Sequence, residues 1–267
     1  KEIIKLANKN RTPFYVFDEH ALDQSIETFL TAFKKEIPSF KAYYAMKVNH
    51  HPLVVKRAVE KGMGLDVGSP REIDMAIKAG CKDIVYFSPG KTNEDLLHAL
   101  NHTNIITIHI DSFGELERLG NLTNHYKKKI KAGVRIHTDL SGDWKKYGIH
   151  IKKLKSFWKE AEKYPFIELQ GVHFHMSRNK DAKFYEDTIK ELGGYLTQSF
   201  DKKDLGKIKY VDFGGGFEVH EAEGYYPFKT PRGNIIKIVN SYIGNQTIFD
   251  TPYYILDAIK IEEYAKK

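Results

Sequence analysis

The chain has 267 residues, 41% hydrophobic and 13% aromatic, enough to bury one large core or two modest ones. No apolar run approaches the roughly 20 residues that span a bilayer, residues 1–11 lack the apolar centre of a signal peptide, and a lone Cys81 excludes an internal disulfide, as suits a reducing cytoplasm. Charged residues make up 29% with both signs mixed; the net charge of +7 brings no nucleic-acid recognition motif with it and favours anionic small molecules.

In chain order, short β-rich runs alternate with helical patterns. Residues 14–18 (FYVFD) read as a strand, followed by a helix over 19–36. Seven further strands are expected at 41–46 (KAYYAM), 64–67 (GLDV), 83–87 (DIVYF), 105–110 (IITIHI), 132–136 (AGVRI), 170–175 (QGVHFH) and 209–213 (KYVDF). The intervening segments carry helix punctuation. Over 70–80 there is Ser69 as N-cap, Pro70 at the first helical position and Gly80 at the end. Over 112–125, Ser112 with Glu115 three residues on predicts a capping box. Residues 225–249 are turn-rich, with a helical piece over 233–242 and no convincing eighth barrel strand. Neither an internal linker nor a low-complexity tract divides the chain.

Seven strand–helix units in series demand a parallel sheet covered by helices. An open doubly wound sheet would gather its polar residues near one switch point. Here Lys47, Asp66, Ser88, Asp111, His137, His175 and the glycines after Asp212 mark the C-terminal ends of many strands in turn. That distribution is what the active face of a TIM-type (β/α) barrel requires, so the fold expected is an α/β barrel.

The chemistry-bearing residues follow from that face. Lys47 ends the first barrel strand, where partial desolvation would disfavour its ammonium and leave an amine able to attack an aldehyde. Gly214, Gly215 and Gly216 follow the last strand, as a turn whose successive N–H groups would face phosphate oxygens. His173 and His175 point the same way from the sixth strand. A metal there would need a third ligand; no H-x-x-x-H or local carboxylate supplies one, so no metal is expected. An imidazole lying flat on a planar cofactor is the better reading of His175. Arg135, His137 and Asp66 would add charge to the same face. Neither a G-x-S-x-G elbow nor a G-x-x-x-x-G-K-[ST] loop occurs.

TPFYVFDEHAL, YYAMKVN, GLDVGSPREI, FSPGK, IDSFGELERL, VRI, KKYGI, GVHFH and DFGGGF, in that order and spacing, resemble the fold-type III PLP-dependent decarboxylases from Thr12 to about Phe217. This is the family of diaminopimelate, ornithine and arginine decarboxylases. The resemblance implies pyridoxal 5′-phosphate (PLP) as cofactor, carried as a Schiff base on Lys47, with His175 stacked on its ring. Gly214, Gly215 and Gly216 would hold the phosphate, and Asp66 and Arg135 would lie near the cofactor. Lys146 and Tyr147, in a K-[FY]-G motif, would sit near a homodimer contact. The activity implied is cytoplasmic decarboxylation of an amino acid, diaminopimelate or another basic one, as in lysine biosynthesis. A non-catalytic PLP-binding barrel and an amino-acid racemase are the alternatives. Residues 1–18 would carry a strand that pairs with a C-terminal β domain, and 19–267 would form the PLP-binding barrel. The sequence departs from the family in having Ser177-Arg178 where glycine and serine are usual, which makes Arg178 a candidate ligand for phosphate or a substrate carboxylate. The E-P-G-R and C-x-x-x-D motifs are absent from the sequence, and with no methionine at position 1 the chain is expected to be a fragment.

Overall fold

The structure, a computed structural model, describes residues 2–176, 182–217 and 260–267, with single positions at 231, 235, 238 and 239. Its strands are β1 (Tyr43–Ala45), β2 (Gly64–Val67), β3 (Ile84–Phe87), β4 (Ile106–Ile110), β5 (Ile130–His137), β6 (Ile149–His150), β7 (Ile167–His173) and β8 (Tyr210–Asp212). Seven lie side by side in the order β1-β2-β3-β4-β5-β7-β8, and the two-residue β6 pairs only with the end of β5. Every pairing is parallel. Chain order and sheet order run together with no reversal, so the doubly wound alternative is excluded and the TIM-type barrel stands. Among the described residues β1 and β8 are the end strands, and no eighth barrel strand closes the sheet.

All seven expected barrel strands are present, because residues alternating between two buried faces extend into strands whatever their partners. Outward-facing Leu65, Ile84, Ile108, Ala132, Val134 and Val172 are buried under the helices. The helices start where their caps predict. In α2 (Glu19–Glu36), Asp18 accepts from the Ala21 amide, and in α4 (Pro70–Lys78), Ser69 accepts from Glu72. His51 caps α3 (Pro52–Glu60) by accepting from the Leu53 amide. At α6 (Phe113–Tyr126), Ser112 caps Glu115, but the Glu115 carboxylate reaches back one residue further, to the Asp111 amide at 3.3 Å. The reciprocal capping box is therefore absent, since Glu115 is drawn into a buried ion pair with Lys91.

Two expectations at the N-terminal end change. Residues 2–9 form helix α1 (Glu2–Lys9), and residues 13–18 have no regular structure. Tyr15, Val16 and Phe17 are exposed: the β propensity of FYVFD finds no partner strand among the described residues. The helical piece expected over 233–242 falls outside the described residues except at 235, 238 and 239, which are helical. At the open seam an aromatic cluster takes over from hydrogen bonds. Phe29 and Phe33 of α2 and the following Phe40 meet Phe213 and Phe217, beyond β8, at ring separations of 5.7–6.2 Å, each contact contributing about 0.5–1.5 kcal/mol beyond area burial. Among the described residues no helix is long and apolar enough to cross a membrane.

Candidate active site at the C-terminal ends of the strands

Parallel register decides which side chains share the barrel interior, because paired residues point to the same face. Ala45 pairs with Asp66 and Asp66 with Val85. Phe87 pairs with His109, His109 with Gly133, Gly133 with Gly171 and Gly171 with Tyr210. Arg135 pairs with His173 and His173 with Asp212. The interior is filled by a large-to-small match. A Cβ on Gly171 would lie 2.0 Å from Tyr210 Cζ, and one on Gly133 would lie 2.6 Å from its hydroxyl. The Tyr210 ring therefore occupies the space of two glycines and brings its hydroxyl to 3.0 Å from His109 Nε2.

Above this layer the expected site residues come together. The charge of Lys47 acts on both Asp66 and His175, and that of Arg135 on His175. Burial, followed by the neighbouring Asp212 carboxylate, pushes the Asp66 carboxyl up to about 7, against the opposing charges of Lys47 and His173. Burial, reinforced by positive charge on His173 and Lys47, pulls His175 down to about 3. His175 is thus neutral, and its Nδ1 accepts the Gly215 amide at 3.2 Å. Arg135 is buried between the rings of Phe87, at 4.7 Å, and Tyr147, at 5.0 Å. Its Nη2 is buried with no hydrogen-bond partner, so a charged donor is held ready for an anion.

Several expectations are corrected. Lys47 is exposed; it sits two residues past an end strand, on a turn closed by Val48 N–H to the Ala45 carbonyl, and the described residues provide no desolvating cover. The first two amides of the triple-glycine turn do not face outward. Gly214 N–H donates to Asp212 Oδ1 at 2.7 Å and Gly215 N–H to His175, because the left-handed Gly214 (φ 61°) folds the turn back on its own strand end. Space is open above Gly215. His137 adds no charge to this face: burial and then His150 lower its pKa. Lys146 lies over the Tyr147 ring at 5.1 Å, and Tyr147 in turn covers Arg135, tying the K-[FY]-G segment to the site. Arg178 lies outside the described residues.

Sequence reasoning missed the polar layer below. His173, with no local carboxylate, receives one from β8: Asp212 Oδ2 lies 3.2 Å from its Nδ1 and 3.6 Å from His109 Nδ1. Burial would raise Asp212, but His173, His109 and the Gly214 amide outweigh it and hold the carboxyl below the usual range. The one signal available was His109, a polar residue at an inward position of IITIHI. Also missed was Lys91, whose Nζ bonds the carbonyls of Ser88, at 2.6 Å, and His109, at 3.0 Å, and pairs with Glu115 at 2.8 Å. It stitches β3 to β4 under the site. A cleft of about 400 Å³ bordered by Phe40, Tyr43, Met63 and Asp83 opens at the opposite, N-terminal ends of the strands and gathers none of these groups.

Comparison with known proteins bears out the resemblance read from the motifs. Residues 23–250 match the family model described as "Pyridoxal-dependent decarboxylase, pyridoxal binding domain". The chain is 30% identical over 228 residues to the diaminopimelate decarboxylase of Aquifex aeolicus, covering 80% of this chain and 53% of that protein. It is 27% identical over 222 residues to the 2-[(L-alanin-3-ylcarbamoyl)methyl]-2-hydroxybutanedioate decarboxylase of Staphylococcus aureus, covering 78% and 54%. It superposes on the crystal structure of Helicobacter pylori diaminopimelate decarboxylase complexed with L-lysine with a TM-score of 0.73 at 24% identity, covering 99% of this chain and 61% of that one. The chain spans about half the length of the curated relatives it matches.

Proposed function

This chain belongs to the pyridoxal-dependent decarboxylases through their pyridoxal-binding domain, and from that footing we propose that it is the cofactor-bearing barrel of a PLP-dependent amino-acid decarboxylase. Its substrate would be diaminopimelate or another basic amino acid, as the motifs suggest. The observation that carries the reading is the convergence, on one barrel face, of Lys47, Asp66, His175 and an Arg135 whose Nη2 has no partner. These residues fit the group. A charged donor awaits an anionic oxygen, and the open side of Gly215 leaves room beside Gly214 and Gly216 for a phosphate.

When bound, PLP supplies an aldehyde for the substrate amine and a ring that accepts the electrons left by departing carbon dioxide. The chain's own residues would divide the remaining work. Lys47 would anchor the aldehyde and, once released by the substrate, return a proton to the substrate carbon. His175, neutral and held through Nδ1 by Gly215, would present a flat uncharged face to the cofactor ring. Asp66, with its carboxyl near 7, can hold or release a proton next to Lys47. Arg178 would add a second cation for phosphate or a substrate carboxylate. The exposed Tyr15, Val16 and Phe17 support pairing of the N-terminal segment with a β domain, and the K-[FY]-G resemblance would place a homodimer contact at Lys146 and Tyr147.

The test is reductive trapping. The full natural chain loaded with PLP and treated with borohydride should carry the cofactor on the peptide containing Lys47, and Lys47→Ala should lose both this adduct and carbon dioxide release from a panel of basic amino acids. An adduct that survives in Lys47→Ala overturns the reading. PLP bound on Lys47 with no carbon dioxide released from any amino acid would select a cofactor-binding barrel instead.

A further inference from the structure

We propose that His109, His173 and Asp212 form a transition-metal site of the zinc class inside the barrel, in the polar layer below the Lys47 face. The three come from β4, β7 and β8, and none has been given a chemical role above. One ligand atom from each of the three lies within 4.8 Å of the others, and the Nδ1 atoms of both histidines face Asp212 Oδ2. The two edges to the carboxylate are 3.2 and 3.6 Å. Zinc held at about 2.0–2.2 Å by nitrogen and oxygen in a tetrahedral shell sets its ligands about 3.4 Å apart, and the two edges to the carboxylate bracket that spacing.

The second observation is independent of spacing. Both Nδ1 atoms are buried without a well-formed hydrogen bond among the described residues, and both face Asp212 Oδ2. His173 pairs with Asp212 closely enough to hold that carboxyl down, so an ion would replace the proton between them and draw in His109 Nδ1 as well. A single proton can serve only one of the two ring nitrogens at that oxygen, whereas an ion between them accepts both lone pairs.

The supporting contacts set up those lone pairs. Tyr210 OH sits 3.0 Å from His109 Nε2; in the tautomer that donates Nε2–H to this hydroxyl, His109 Nδ1 carries a lone pair, the arrangement usual behind metal-bound histidines. Gly133 and Gly171 give Tyr210 the room to make that contact. On the carboxylate, Gly214 N–H engages Oδ1 and leaves Oδ2 for the cluster. Two imidazoles and one carboxylate suit zinc and its late first-row neighbours rather than magnesium or calcium. Three protein ligands leave one position open, as in catalytic zinc sites.

Lys47 takes no part, so metal and cofactor binding can be scored separately. The full natural chain, freed of PLP and stripped with a chelator, is titrated with cobalt(II) alone. The expected result is one equivalent bound with the visible absorbance of a four- or five-coordinate ion, bleached by zinc. His109→Asn should abolish the band. Tyr210→Phe, which keeps all three ligands, should weaken cobalt binding about 10- to 100-fold. His98→Asn, which removes a surface histidine next to Asp74 and His102, should change nothing. No band, a band that persists in His109→Asn, unchanged affinity in Tyr210→Phe, or loss of the band in His98→Asn would each overturn the site.

Discussion

Replacing Glu115 by leucine should cost this protein about 4–6 kcal/mol, a large share of the 5–15 kcal/mol that holds a typical domain folded. Lys91 and Glu115 are 2% and 1% exposed, and their charged atoms are 2.8 Å apart. The ammonium donates to the Ser88 and His109 carbonyls and forms its ion pair with Glu115 Oε1. Burial pulls the Lys91 pKa down and pushes Glu115 up, and each partner's charge opposes that shift in the other. Removing the carboxylate strands a buried ammonium, at about 3–5 kcal/mol. It also frees the Asp111 amide that Glu115 Oε2 accepts, at about 1 kcal/mol more. Replacing both partners, Lys91→Met with Glu115→Leu, removes the charges together and should return stability to within about 1 kcal/mol of the parent. Urea unfolding of the two single variants and the double variant closes the cycle, and the coupling should be insensitive to salt because the pair is dry. Single and double effects that simply add, or a Glu115→Leu cost below about 1 kcal/mol, would refute the reasoning.

Asp66→Asn should change how stability depends on pH. Asp66 is raised from 3.8 to about 7, so its contribution is fully present below about pH 4 and is lost as pH rises through about 7. His109 and His175, pulled down to about 3, work in the opposite sense: their contribution is present above about pH 6.5 and is lost as pH falls. The parent-minus-variant difference in unfolding free energy should therefore decline between about pH 4 and pH 7, by up to about 1.4 kcal/mol per pH unit. A flat or rising difference in urea melts would show that Asp66 is not shifted. Gly171→Ala should destabilise by about 1–3 kcal/mol or more, since its Cβ would lie 2.0 Å from the Tyr210 ring. Tyr210→Leu in the same chain should recover part of the loss in thermal melts, and a Gly171→Ala protein as stable as its parent would place Tyr210 elsewhere.

Much of the barrel was legible in the sequence because the signals are local. Alternating apolar residues placed seven strands, Ser69 and Ser112 marked helix starts where their side chains now cap, and a polar residue after each strand marked the working face. These features follow from backbone periods of 2 and 3.6 and from side chains bonding amides two or three residues away. Lys47, Asp66, Arg135 and His175 could be named for the same reason, since each lies at or close to the C-terminal end of a strand. What tertiary structure alone decided was partnership. Among the described residues FYVFD has strand chemistry but no strand to pair with, and nothing covers Lys47, just past an end strand. Glu115 carries a capping-box pattern and left it for Lys91, while Gly171 makes room for Tyr210 and Asp212 turns to His173 and His109. Each of these joins residues far apart in the chain, set by strand register and by which rows face inward. A one-residue slip in register would send every one of those side chains to the other face of the sheet.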